Sequence, residues 1–146
     1  MKPTFLRPAF TALALGALVF AATPVFADTV SYKADLKASS EVPPNDSKGT
    51  GTLDAAYDTT SKKLNWTITY AGLTGPATAA HFHGPAAAGA NAPPAVPLAG
   101  KLESPIKGDA TLTEAQLTDL QAGRWYLNIH TAAHKDGELR GQVMKK

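Results

Sequence analysis

Apolar and polar residues alternate one by one along much of this chain. Val30, Tyr32, Ala34 and Leu36 are interleaved with Ser31, Lys33, Asp35 and Lys37. Leu53, Ala55 and Tyr57 alternate with Thr52, Asp54, Ala56 and Asp58, and Leu64, Trp66, Ile68 and Tyr70 with Asn65, Thr67 and Thr69. Side chains on a strand point to opposite faces in turn, so this period of two predicts half-buried strands. Turn-formers separate them: Pro43-Pro44-Asn45-Asp46 and Asp58-Thr59-Thr60-Ser61. Residues 77–84 predict another short strand. Residues 84–97 hold four prolines among alanine and glycine. That stretch has no periodicity and cannot be a central strand, so a long surface loop is expected there. Residues 98–110 predict one or two short strands.

One helix is signalled. Thr113 can cap it, with Gln116 three positions on as the reciprocal partner. Leu112 and Leu117 suit a hydrophobic staple, Leu117 and Leu120 form a narrow apolar stripe, and Gly123 suits the stop. Beyond it, Trp125, Leu127 and Ile129 alternate with Tyr126, Asn128 and His130. Leu139 and Val143 alternate with Glu138, Arg140 and Gln142. His134-Lys135-Asp136-Gly137 supplies a turn, so residues 124–131 and 138–144 are expected to pair as a hairpin. Many short strands with Pro/Gly-rich connections predict an all-β antiparallel sandwich or barrel with one short helix.

Residues 1–27 stand apart from this pattern. Lys2 and Arg7 make a basic start, residues 10–22 are uncharged, and Val25 and Ala27 fit the −3 and −1 positions of a cleavage site. A signal peptide cleaved after Ala27 is expected, with a periplasmic or secreted product and no membrane insertion after cleavage; the apolar stretch is short for a span. Lys2 and Arg7 are two of the 14 basic residues, which leaves 12 against 12 acidic ones. A near-neutral chain has no electrostatic footprint for nucleic acid. About 119 residues remain for one β domain, 28–146. With no cysteine, neither disulfides nor thiolate ligands are available.

The candidate chemistry lies in four histidines, all in two segments: His81 and His83, then His130 and His134. Imidazole is the commonest transition-metal ligand near neutral pH. If Phe82 faces the core, His81 and His83 face away from it together, roughly 6.6 Å apart at ~3.3 Å per residue. If Leu127 and Ile129 face the core, His130 does not, and the turn can fold His134 back over the strand end. An imidazole set suits copper first and zinc second. Nitrogens of two ligands on one ion should lie about 3–4 Å apart, given bonds of ~2.0–2.1 Å. Hydrogen bonds to carbonyls at strand ends are the plainer role for each histidine. Asn128 and Tyr126 share the face of His130 and can line the same site. Glu138 and Arg140, two apart, are expected to pair as ions, or Glu138 to orient His134. Met144 offers a soft sulfur for Cu(I), though an outward strand residue near a terminus is more often incidental. No nucleophile elbow, phosphate loop or His-Glu-x-x-His helix is present.

Three motifs in order carry a family resemblance: Ala80-His81-Phe82-His83-Gly84-Pro85, Trp125-Tyr126-Leu127-Asn128-Ile129-His130-Thr131, and Gly137-Glu138-Leu139-Arg140-Gly141-Gln142. Together they resemble the CHRD domain, named from chordin, an extracellular antagonist of bone morphogenetic proteins, and found also in bacterial exported proteins. The resemblance implies an immunoglobulin-like or superoxide-dismutase-like sandwich or Greek-key barrel. The His-x-His is also similar to the copper-binding segment of copper/zinc superoxide dismutase. That enzyme's disulfide cysteines are absent here, and no zinc loop with a bridging histidine is found.

Three functions follow, in order of preference. The first is an exported metal-binding protein, holding copper or zinc on His81, His83, His130 and His134 for storage, delivery or detoxification. The second is a metal-free extracellular module with a protein partner, presenting residues 85–97. The third is a dismutase-type enzyme, for which Arg140 is the only guiding cation on offer.

Overall fold

The computed structural model describes residues 28–146; the expected signal peptide lies outside them. Among the described residues no helix is long and apolar enough to cross a membrane. The strands are β1 (Thr29–Lys37), β2 (Thr50–Asp58), β3 (Lys63–Ala71), β4 (Ala77–His83), β5 (Pro94–Pro97), β6 (Ile106–Thr111), β7 (Tyr126–Thr131), β8 (Leu139–Gln142) and β9 (Met144–Lys145). One helix, α1 (Glu114–Gln121), precedes β7. All pairings are antiparallel, in the order β5-β4-β7-β8-β1-β2-β3-β6, with β9 also on β1.

The period-two pattern becomes the inner face of this sheet. Tyr32, Ala34, Leu36, Leu53, Ala55, Tyr57, Leu64, Trp66 and Ile68 are all buried in one cluster. From the other half of the sheet come Phe82, Leu127, Ile129 and Leu139. The Phe82 ring meets Trp66 edge to face, with centroids 5.2 Å apart. These two residues sit on β4 and β3, near opposite ends of the strand order, so the sheet curls back on itself into a nearly closed barrel. Curling encloses the apolar faces in one interior, which is the main favourable contribution to the fold.

The helix forms as its caps predict. Thr113 Oγ1 accepts from the Gln116 backbone N–H, while Gln116 Oε1 accepts from the Thr113 N–H. Gly123 follows with φ of 67°, a left-handed conformation that suits a residue without Cβ. Residues 98–110 contribute one strand, β6.

Residues 84–97 depart from the expected surface loop. Pro94–Pro97 pairs with β4 as an edge strand, where prolines cost no ladder bond on the open side. Residues before it fold over the outer face of β7 and β8, and burial there follows. Tyr126 and Asn128 are as buried as the inward residues of β7, and His130 is half-buried. Periodicity predicts only which way a side chain points, not whether another segment covers it.

Candidate metal centre

Pairing between β4 and β7 brings the histidine segments together. Cα partners are Ala79 with His130, His81 with Asn128, and His83 with Tyr126. These residues all lie on the face opposite Phe82 and Leu127. His81 is therefore a diagonal neighbour of His130, a separation long side chains can bridge. His81 Nδ1 lies 3.2 Å from His130 Nε2. One ring nitrogen each from His81, His83 and His130 all lie within 4.8 Å of one another. His81 and His130 thus fall in the range expected of two ligands on one ion, and a ring nitrogen of His83 lies within 4.8 Å of both.

Backbone carbonyls fix the tautomers of two rings. His83 Nδ1 is 2.8 Å from the Ala92 oxygen, and His130 Nδ1 is 2.8 Å from the Lys135 oxygen. A carbonyl oxygen only accepts, so each Nδ1 carries a proton and donates it. In the neutral ring each Nε2 is then a bare lone pair. Orienting an imidazole through its other nitrogen is how proteins prepare a metal ligand. His81 can join them through Nδ1 once its own proton resides on Nε2.

Burial favours the neutral form of His81 and His83. His81's pKa is lowered by burial first, then by repulsion from His130 and His83. Burial likewise lowers that of His83, assisted by His130 and Arg140 and opposed by the bonds to Ala92 and Asn128. A neutral imidazole is the form that ligates.

Around the rings is a rigid support. Tyr126 stacks on His83, with centroids 4.7 Å apart and planes 3° from parallel. The Arg140 guanidinium lies 3.4 Å from the Tyr126 ring centre. Arg140 also donates to Asn91 Oδ1 at 2.8 Å and to the Ala90 oxygen at 2.5 Å. Tyr126's hydroxyl meets the Ala92 backbone at 3.2 Å. Residues 90–92 are thus pinned over the site by His83, Tyr126 and Arg140. An open hollow of about 370 Å³ borders the centre, with Glu41, His83, Tyr126, Asn128, His130 and Asp136 in its wall.

The expected Glu138–Arg140 ion pair is not formed. Glu138 instead accepts hydrogen bonds from Ser47, Thr74 and Thr131, at 2.6 to 2.8 Å. Burial pushes its pKa up, but these bonds outweigh burial and hold it at about 2. Each partner of the expected pair is taken by a segment distant in sequence, which two-residue spacing cannot reveal. Nor does Glu138 orient His134.

His134 stays in the β7–β8 turn, outside the group formed by the other three. It lines a separate hollow with Glu41, Pro43, Asn45 and Asp136, and its backbone N–H donates to the Thr131 oxygen at 3.2 Å. Met144 sits on β9 against β1, half exposed.

Glu41 is the residue sequence reading missed. It follows the turn at Ala38–Ser40, and its carboxyl is buried beside Asn128 and Gly137. Its Oε1 makes no hydrogen bond, while Oε2 accepts from Val42 N at 3.3 Å. Burial raises its pKa; the Val42 bond, Arg140, the Asn128 amide and His130 act against that. A single glutamate beside two prolines carries no local signal of this placement.

No curated protein and no solved structure matches the chain. The family described as the CHRD domain matches residues 32–143, most of the chain and every residue placed in this centre, and the protein belongs to that family.

Proposed function

We propose that this is an exported metal-binding protein that holds one transition-metal ion, copper before zinc, on His81, His83 and His130. The observation that carries this reading is the proton inventory. Two imidazoles donate Nδ1–H to fixed carbonyls, the bare Nε2 of His130 faces His81, and one ring nitrogen from each of the three lies within 4.8 Å of the others. Such a donor set fits Cu(II) or Zn(II). Export rests on the signal-peptide pattern of residues 1–27 and agrees with the typically extracellular setting of CHRD domains. Storage, delivery or detoxification are the roles such a centre would serve.

Cu(II) titration followed by EPR tests this directly. The wild type should give nitrogen hyperfine coupling, and His81→Ala should alter it. A spectrum without such coupling, or one indifferent to His81→Ala, would remove the reading.

A metal-free interaction module is the second reading. The observation in its favour is that His83 and His130 also tie residues 92 and 135 to the barrel, which is a structural role in itself. Equal thermal stability with metal and with chelator would favour it, because a ligand that binds only the folded state must stabilise it. The dismutase reading has less support. Arg140, the cation it would use to guide an anion, is buried and committed to Tyr126, Asn91 and Ala90.

A further inference from the structure

We propose that Asn128 supplies a fourth ligand to this centre through its carboxamide oxygen, and that Glu41 is the positioning residue that keeps the oxygen turned inward. The inference rests on the three-histidine reading and deepens it to an N3O donor set.

Asn128 Oδ1 lies 2.9 Å from His83 Nε2 and 3.0 Å from His130 Nε2. Both nitrogens are lone pairs in the neutral rings, because both Nδ1 protons are spent on carbonyls. An amide oxygen is also only an acceptor. Three acceptors therefore face one another in a half-buried setting, and His81 offers one proton, to His130. Acceptors brought this close repel one another unless a proton or a cation lies between them. A cation at their common centre satisfies all of them at once. The spacing also fits: ligands on adjacent positions, each about 2.1 Å from an ion and at right angles, are about 3.0 Å apart.

Turning the amide over would give the imidazoles an N–H but would aim Oδ1 at Glu41. That carboxyl is 5% exposed, and its Oε1 has no hydrogen-bond partner. Its Oε1 and the Asn128 amide nitrogen border the same space, over the Gly137 Cα. An acidic oxygen there favours the amide nitrogen on its own side, and so the oxygen on the imidazole side. Gly137 leaves the space: a Cβ at that position would run into Glu41 Oε1 and come within 3.0 Å of Asn128 Nδ2. A hard oxygen beside three imidazoles shifts preference toward Cu(II) and Zn(II) and away from Cu(I).

Zn(II) titration of the isotope-labelled protein tests the assignment by NMR. The Asn128 side-chain carboxamide signals, identified by their loss in Asn128→Asp, should move on saturation. Asn128→Ala should weaken Zn(II) binding by more than about 100-fold, beyond the loss for a residue that only orients a ligand. Asn128→Asp, which keeps an oxygen and the side-chain size, should bind more tightly than Asn128→Ala. Glu41→Gln should weaken binding by up to about tenfold. Unmoved Asn128 signals, with Asn128→Ala binding like wild type while His83→Ala has lost binding, would overturn the fourth ligand and leave the histidine centre standing. If His83→Ala also binds like wild type, the three-histidine reading itself fails, and this inference with it.

Discussion

Two polar clusters lie against β7 and β8, and they are finished differently. Around Glu138 every demand is met: three hydroxyls and a backbone N–H converge on one carboxylate. Around His83 and His130 the outer protons are met by carbonyls, but the inner nitrogens face further acceptors. The first cluster is complete without a ligand and acts as a fastening between β8 and the segments at Ser47 and Thr74. The second, on the reading proposed above, is completed by a cation. A satisfied network stabilises a fold, and an electron-rich one short of protons is a place for a ligand.

The sharpest way to break this contrast is to exchange its consequences. His83→Ala should weaken Cu(II) binding by more than about 100-fold, beyond the usual loss for residues that only orient a ligand. Glu138→Gln should leave that affinity unchanged in a competition titration. If Glu138→Gln costs as much affinity as His83→Ala, the clusters are not separate.

Stability should respond the other way. Glu138's folded pKa of about 2 lies below its ordinary value of 4.5. Its contribution is therefore full above pH 4.5 and is lost as pH falls toward 2. That shift corresponds to an upper bound of about 3 kcal/mol at neutral pH. Glu138→Gln should lower stability by an amount approaching that bound in urea unfolding, and flatten the acid limb between pH 4.5 and 2.

The histidine cluster should contribute a milder acid sensitivity at higher pH. His81 and His83 have lowered pKa values in the folded state. Below pH 6.5 the unfolded chain takes up protons that these two rings resist, so the metal-free protein should lose stability as pH falls through that point. Unfolding midpoints measured across this range should show the decline, and His83→Ala should reduce it.

The smallest effects should come from residues at the margin. Tyr126→Phe removes the hydroxyl bond to Ala92 but keeps the stack on His83, at a cost of about 1 kcal/mol. His134→Ala should change Cu(II) affinity by less than about twofold, since its side chain lies outside the group that would ligate. A larger loss there would mean that the β7–β8 turn moves to bring His134 in when metal binds.

Much of the barrel could be read directly. Inward residues of β1, β2 and β3 are those the alternation marks, and the capping box at Thr113 and Gln116 forms as drawn. Both are local signals, carried by residues within a few positions of one another. His81, His83 and His130 could also be placed on the outer face by strand phase alone. Residues 84–97 could not be read this way. Their fold depends on Arg140 and Tyr126, which are far away in sequence, and on the edge of β4. Glu138 misled for the same reason, because its partners at Ser47 and Thr74 lie more than 60 residues away.

By itself, the sequence determined the class of fold, the single helix, the likeness to the CHRD family and the side of each strand on which a histidine stands. Side-chain period and capping chemistry are properties of short stretches, so no knowledge of the partner strand was needed. Register and covering were decided only in three dimensions. Pairing His81 with Asn128, rather than one residue to either side, is what puts imidazoles and a carboxamide on one face at one point. Placing Glu41 behind that carboxamide, and residues 90–92 beside the rings, turned a row of polar side chains into a half-buried site. Those contacts join residues tens of positions apart, and only strand pairing and the segments folded over it bring them within reach.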